Sequence, residues 1–442
     1  MAEAFSDQRR IESETIRKAG IRLVPFLVVC YFIAYVDRVN VGFAALTMNK
    51  DLGLTATAFG TGAALFFVAY VIFEVPSNLA LERFGARRWI ARIMISWGLV
   101  GLGSAFVTGA VTFSIARFLL GAAEAGFFPG VILYLTYWFP KAYRARIVAM
   151  FMVAIPVSSF LGSPLSAALL TLDGVGGLRG WQWLLICESI PALLLGLATL
   201  VVLPSRPAEA QFLTSEQKAW LEGCLEAERR AASAGHSGHG SVWSVLTNKQ
   251  VWLLAVIYSG SSATSNALSL WMPQILKSFG LSNLETGLLN MIPFGIASVF
   301  MIFWGLRADK SGERIWSTAL PLALTSLSLG LTLLTGSLTI TLVLLSLVLL
   351  GNYSIKGPFF ALVTETLSPA QAAAGIAAIN TLAHLGTGAI TSLIGVLREQ
   401  SGSFPVALLP LCVLTAVGCA LVLWIGRDRL RASAAVAPAP AR

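Results

Sequence analysis

Apolar residues fall into runs of about twenty along this chain, each long enough to cross the hydrocarbon core of a bilayer as a helix. Twelve such runs predict twelve spans, at 23–45, 57–77, 89–108, 111–136, 147–170, 183–203, 251–273, 285–306, 315–335, 338–362, 372–396 and 405–425. A polar segment, 204–250, divides them six and six. It holds SRPAEAQFLTSEQKAWLEGCLEAERR, expected to form an amphipathic helix, and then AGHSGHGS, expected to be flexible. The expected organisation is a tail over 1–22, a six-helix half over 23–203, a linker over 204–250, a second half over 251–425 and a tail over 426–442.

Composition agrees. Of 442 residues, 56% are hydrophobic and 12% charged, and mean hydropathy is +0.76. A soluble domain carries about 25% charged residues, so the class is an all-α polytopic membrane protein. A net charge of +9 would suggest nucleic acid in a soluble protein, but here its distribution matters more. Twenty-four Lys and Arg fall in the tails, the linker, alternate loops and the first turn of span 3, against four on the other side. Both termini and the linker are therefore expected to be cytoplasmic, with no nucleic-acid partner. The segment before Leu23 is polar, so no cleavable signal is expected. The five cysteines lack metal or disulfide spacing. His236 and His239 lack further ligands nearby, so neither metal nor cofactor is expected.

The two halves repeat. DLGLTATAFG begins at Asp51 and SFGLSNLETG at Ser278, an offset of 227. Without a gap, NLALERFGARR from Asn78 then meets GLRADKSGERI from Gly305. Glu82 pairs with Asp309, Arg83 with Lys310, Gly85 with Gly312 and Arg87 with Arg314. Two parallel repeats related by an axis along the membrane normal are expected.

These loops resemble the G-x-x-x-D-R-x-G-R-R signature of the major facilitator superfamily. The second copy follows it well, while the first has Asn78 for Gly and Glu82 for Asp. The resemblance implies that Glu82, Arg83, Asp309, Lys310 and Arg314 form charge clusters that lock the cytoplasmic side in the outward-open state. YVDRVNVGFA (Tyr35–Ala44), FVAYVIFEVPSN (Phe67–Asn78) and RFLLGAAEAGFFPG (Arg117–Gly130) are similar to the anion:cation symporter branch. That branch includes bacterial tartrate, galactonate and phthalate carriers, sialin and the vesicular glutamate carriers.

Charges inside spans carry the chemistry. A charge near the bilayer centre costs roughly 2.5–3.5 kcal/mol even on the lenient insertion scale, so such residues face a partner or a water-filled cavity. Asp37 and Arg38 are adjacent on span 1. Arg117 and Glu124, seven apart on span 4, lie about 20° short of two full turns and share a face. All four are expected to line one central cavity. A carboxylate balanced between desolvation and a neighbouring Arg can exchange protons as the cavity opens to each side; the alternative is a static pair of salt bridges. The resemblance implies that Asp37 and Glu124 handle protons, Arg38 lies near substrate, Arg117 partners Glu124, and Tyr70 and Asn380 contact substrate. For Tyr70 an ordinary packing role stands equal.

Three departures argue against a galactonate-like sugar acid. Ser158 and Ser159 stand where those carriers offer a Gln nearby, His384 where a second Asn is common, and Lys356 falls within span 10. Lys356 is expected to face the pore, and the alternative is a snorkelling lysine. Asn380, His384, Thr387 and Thr391 make a polar stripe on span 11; His384 either binds substrate or is an interior hydrogen-bonded His. Glu188 is expected to be structural, and Glu74, near Pro76, to serve a gate or packing.

The expected function is proton-coupled import of a small organic anion across an inner membrane by a monomer. With Asp37, Arg38, Arg117, Glu124 and Lys356 as its charges, the cavity would carry +1. The chain has no G-x-x-x-x-G-K-[ST] loop and no nucleophile–base set or metal cluster, which argues against ATP-driven transport and against an enzyme. The rivals are a proton-coupled exporter, disfavoured by the short LGSPLSAA on span 5 and the basic cavity, and a transporter-like nutrient receptor.

Overall fold

The structure, a computed structural model, describes residues 2–234, 247–367 and 369–436. His236 and His239, and the rest of the segment expected to be flexible, lie outside them. The described helices run α1 (Ala2–Asp51), α2 (Ala56–Phe84), α3 (Ala86–Ser104), α4 (Ala110–Glu124), α5 (Phe127–Thr136), α6 (Lys141–Leu169), α7 (Gly180–Val202) and α8 (Ser215–Ala234). They continue as α9 (Lys249–Lys277), α10 (Asn283–Ser311), α11 (Ile315–Leu331), α12 (Leu338–Ser354), α13 (Lys356–Thr366), α14 (Pro369–Ser401), α15 (Phe404–Ala407) and α16 (Leu409–Val436).

Among the described residues, ten of the spans are long and apolar enough to cross a membrane on length and composition alone. The other two are α3, which carries Arg87, Arg88 and Arg92 in its first turns, and α9, whose middle reads SGSSATSN. Both pack inside the same bundle, so the fold is twelve transmembrane helices in two six-helix halves. Spans 4 and 10 are each split, into α4–α5 and α12–α13.

The repeat holds down to single residues. At the offset of 227, α2 and α10 have matching ends and the same length, 29 residues. Thr55 caps α2 by accepting from the Ala58 N–H; Ser282, its counterpart, caps α10 by accepting from Glu285. Gly53 and Gly280, and Gly85 and Gly312, all have positive φ, which a glycine adopts without a Cβ penalty. These are the glycines that the sequence register paired.

One feature differs from expectation, at the first helix. The hydrophobic run begins at Leu23, yet α1 is helical from Ala2, with 50 residues. That is about 75 Å of helix against a hydrocarbon core of about 30 Å, so its first turns project well beyond the bilayer. They meet α8, where Lys18 donates to Gln217 at 3.1 Å, and the start of α6, where Tyr143 donates to Glu12 at 2.8 Å. Arg144 pairs with Glu228 at 2.8 Å and ties α8 to the start of α6. Outside the membrane, the Tyr143 phenol is pushed up from its ordinary pKa, first by that hydrogen bond to Glu12.

The halves touch at the end away from the basic loops. Phe59 of α2 meets Trp271 of α9 edge-on at 5.2 Å between ring centroids, and Asn290 of α10 donates to Ser163 of α6 at 2.8 Å. The Thr57 N–H donates to Glu399 of α14 at 2.8 Å. Glycines permit the closest approach: a Cβ on Gly42 would lie 2.6 Å from the Ser269 carbonyl oxygen and 2.8 Å from that of Leu270. Gly42→Val is therefore expected to penalise this closed end alone. Overpacking of about 1–3 kcal/mol shifts the population roughly five- to over a hundredfold toward a state open at that end. Labelling of single cysteines near Phe59 from that side should rise accordingly; unchanged labelling would mean that the halves do not separate there.

Candidate functional site

Between the halves lies a cavity of about 740 Å³. Its mouth is on the face that carries the basic loops, where Asn78 and Glu82 of α2 and Thr136 of α5 line it. The contacts among α2, α9 and α14 close its other end, so the structure is open on one side only.

The polar middle of α9 supplies one wall, through Ser262, Ser265, Asn266 and Ser269, which explains why that span is poor in apolar residues. Aromatic rings supply much of the rest: Tyr31, Tyr35, Phe66 and Tyr70 from the first half, Tyr258 and Tyr353 from the second. Both split spans break at this cavity. Glu124 is the last residue of α4, and Lys356 is the first of α13. Discontinuous helices at a repeat interface are a recurrent way to expose charge and free backbone to a substrate. At the first break Gly126 has φ +84°, and any Cβ there would also collide with Ser77 Oγ. The sequence GAAEAGFFPG thus encodes the kink.

A carboxylate at a helix C-terminus is poorly placed against the helix dipole and needs a cation. Arg38 provides it: Nε donates to Glu124 Oε1 at 2.8 Å and Nη2 to the same oxygen at 2.5 Å. Glu124 is buried, and its other oxygen, Oε2, has no partner. Arg38 also lies against aromatic faces, 4.8 Å from the Tyr35 centroid and 5.7 Å from that of Tyr70. Arg117, expected to partner Glu124, does not. Its guanidinium sits 4.8 Å from the Phe66 centroid, and its Nε is unpartnered. The seven-residue spacing does put both side chains on one face, but α4 ends at Glu124, and Arg38 reaches that end first.

Asp37 is the second correction: it does not line the cavity. It is 3% exposed, accepting from Asn40 Nδ2 at 2.8 Å and from Trp97 Nε1 at 2.8 Å. It borders a separate chamber of about 20 Å³ inside the first half. Successive residues on a helix point about 100° apart, and here that step turns Asp37 toward Trp97 of α3 while Arg38 faces the cavity. Arg117 borders both spaces and is the residue common to them.

Lys356 lines the cavity, 9% exposed, with Nζ 4.4 Å from the Tyr353 centroid. Among the described residues, neither Lys356 nor Arg117 has an acidic partner within 4.0 Å, whereas Arg38 does. Asn380 and His384 line the cavity from α14, His384 lying 5.2 Å from Tyr70 between ring centroids. Thr387, further along the same stripe, turns away and donates to Ser262 at 3.0 Å.

Glu74 was expected at a gate or in packing, yet it lines the cavity, as does Thr381 of the other half. Its spacing of four from Tyr70 was the signal that could have placed it on the same face. The charges that line the cavity are thus Arg38, Arg117 and Lys356 against Glu74, Glu82 and Glu124, formally neutral instead of +1. Glu82 lies at the exposed mouth.

Among the described residues, the charge contacts of each loop cluster stay within one half. Arg314 holds Asp309 at 3.2 Å and Glu365 at 3.2 Å, all in the second half. Lys310 is exposed, and Arg83 lies over its neighbour Phe84, 5.6 Å from the ring centroid. Arg87 instead donates to the Leu200 carbonyl and pins α3 to the end of α7.

Residues 27–391 match the Major Facilitator Superfamily. A relative from Agrobacterium vitis described as a "Putative tartrate transporter" is 45% identical over 422 residues, covering 96% of this chain and 93% of its own. A "Quinolone resistance transporter" from Acinetobacter baumannii is 37% identical over 411 residues, covering 93% and 94%. Among solved structures, the D-xylose-proton symporter superposes with a TM-score of 0.72 at 17% identity, covering 91% of this chain and 96% of that one, and shows likeness of fold alone. A repeat that matches helix for helix, a central cavity between its halves and these relatives converge: the chain is a multi-pass membrane transporter that belongs to the major facilitator superfamily.

Proposed function

We propose that the protein is a proton-coupled symporter that imports a small organic anion by alternating access, with the cavity mouth on the cytoplasmic side of an inner membrane. The observation that carries this reading is the state of the three cavity cations. Arg38 is engaged by Glu124, while Arg117 and Lys356 face the cavity with no acidic side chain among the described residues within 4.0 Å. Unpaired buried cations cost free energy unless an anion compensates them. The relative named for tartrate supports a carboxylate as that anion.

Coupling follows from the geometry of one guanidinium. While Glu124 is ionised, it holds Arg38. A proton on Glu124 weakens that charge-assisted bond and frees the fork of Arg38 for a substrate carboxylate. Proton and anion therefore bind together, and the internal pair re-forms once both have left. Asp37 acts behind this pair, its charge reaching the cavity through Arg117. Glu82, Arg83, Asp309, Lys310 and Arg314 are the charges that re-form contacts when the mouth closes.

Export is a second reading, favoured by the relative named for quinolone resistance. Proteoliposomes loaded with a pH-sensitive dye separate the two. Symport predicts that external tartrate acidifies the lumen, and that a fluoroquinolone causes no proton movement. Lumenal alkalinisation on adding the fluoroquinolone, without a response to tartrate or related acids, would support the exporter and overturn the proposal.

A further inference from the structure

The two repeats begin their second helices alike and complete the cap differently. In α10 the Ser282 hydroxyl accepts from the Glu285 N–H at 3.2 Å, and the Glu285 carboxylate accepts from the Ser282 N–H at 2.8 Å. This reciprocal box satisfies two orphan donors and sets an anion at the positive end of the helix dipole. In α2 the Thr55 hydroxyl accepts from the Ala58 N–H at 3.1 Å, but at the offset of 227 the place of Glu285 falls to Ala58, and the first turn of α2 holds no acid. The anion comes from the other half instead. Glu399, near the end of α14, accepts from the Thr57 N–H at 2.8 Å. Its neighbour Arg398 turns elsewhere, 4.1 Å from the Phe404 centroid. The contact sits at the end of one seam, since Ser392, Gly395 and Glu399 are spaced three and four apart on one face of α14. Ser392 Oγ lies 3.2 Å from Thr61 Oγ1, and a Cβ on Gly395 would lie 2.5 Å from the Ala56 carbonyl oxygen. On α2, a Cβ on Gly60 would lie 3.0 Å from the Thr391 carbonyl oxygen. Small residues thus bring the two backbones together where the Glu399 carboxylate reaches the first turn of α2.

We propose that Glu399 is a positioning residue for alternating access, an inter-half cap on α2 that holds the sealed end of the transporter shut while the mouth is open to the other face. It rests on the alternating-access reading and gives one contact of the sealed end a role in it. Opening that end takes Glu399 away from Thr57 and leaves the N-terminus of α2 without a carboxylate. The cap on α10 is internal and is kept in every state. The loss therefore falls only on the state open at the end opposite the mouth, and the empty carrier is biased toward the state described here. A carboxylate at an exposed helix N-terminus shifts such a balance by roughly two- to fivefold.

The test is the rate at which a membrane-impermeant maleimide, added to the face opposite the mouth, labels a single cysteine placed at Ala63. The full chain is held in oriented membrane vesicles without substrate or gradient, its five native cysteines replaced. Ala63 lines the cavity and is 1% exposed, so its rate reports how often the sealed end opens. Glu399→Ala is expected to raise the rate by about two- to fivefold. Glu399→Gln should raise it less, since the amide oxygen still accepts from Thr57 but carries no charge. Adding Ala58→Glu to Glu399→Ala gives α2 the acid that α10 has. The double variant should regain the thermal stability lost with the cap and keep the raised rate, because a cap within one half holds in both states. Gly42→Val, which overpacks the same end without touching Glu399, is the reference. A rate that rises in Gly42→Val but not in Glu399→Ala would overturn the proposal alone. So would a return to the wild-type rate in the double variant, which would make Glu399 a plain helix cap. A rate that rises in neither Gly42→Val nor Glu399→Ala would contradict alternating access along with it.

Discussion

Glu124→Gln is expected to abolish concentrative uptake while counterflow of the same anion persists. Gln removes the titratable proton and the charge that holds Arg38, but keeps the side chain's length at the end of α4. One pH unit is about 1.4 kcal/mol, so each coupled proton supports roughly tenfold accumulation of the anion per unit of gradient. The variant should reach the same internal concentration with and without the gradient, a ratio of about one. Arg38 is then permanently released, as it is when Glu124 is protonated, so anion binding should lose its dependence on pH. Uptake assays and binding titrations at several pH values check both halves of the expectation. Full gradient-driven accumulation by Glu124→Gln would remove Glu124 from the mechanism.

Lys356→Ala carries the second large effect. Nζ lies in the cavity wall with an aromatic face beside it and no acidic partner within 4.0 Å. A dianion that reaches both Arg38 and Lys356 makes a charge-assisted contact at each end, worth about 1.5–3 kcal/mol apiece. The substitution should therefore weaken a dicarboxylate roughly ten- to over a hundredfold and a monocarboxylate of similar shape far less. Lys356→Arg keeps the charge but presents a planar fork where a compact ammonium stood, so partial recovery is expected. Titrations of matched mono- and dicarboxylates decide the matter. Equal losses for both, or none, would sink the second anion contact.

Much of the architecture was legible because the bilayer imposes one rule on every span. Each must satisfy its backbone internally over a fixed thickness, so runs of about twenty apolar residues mark helices even without a neighbouring partner. The repeat was legible for a local reason as well: the Thr55 and Ser282 caps and the positive-φ glycines are short-range chemistry that sequence states directly. The site was legible in its membership more than in its wiring. Arg38, Tyr70, Arg117, Glu124, Lys356, Asn380 and His384 all border the cavity. Which acid meets which base was not readable, because it depends on where α4 stops and how α1 packs against it. Glu74 could have been joined to Tyr70 by its spacing of four. The aromatic wall was overlooked because, one residue at a time, Tyr35 or Tyr353 reads as core.

The most direct test of the central claim, that an organic anion enters with protons through this cavity, is accumulation in proteoliposomes under an imposed gradient, acid outside. Radiolabelled tartrate is the first probe, followed by a panel of mono- and dicarboxylates of aliphatic and aromatic type. The account predicts that at least one acid accumulates above its external concentration, by roughly tenfold per coupled proton per pH unit. It also predicts that a protonophore collapses the accumulation and that Glu124→Gln lacks it. Anions that merely equilibrate, or an accumulation that survives the protonophore, would contradict it.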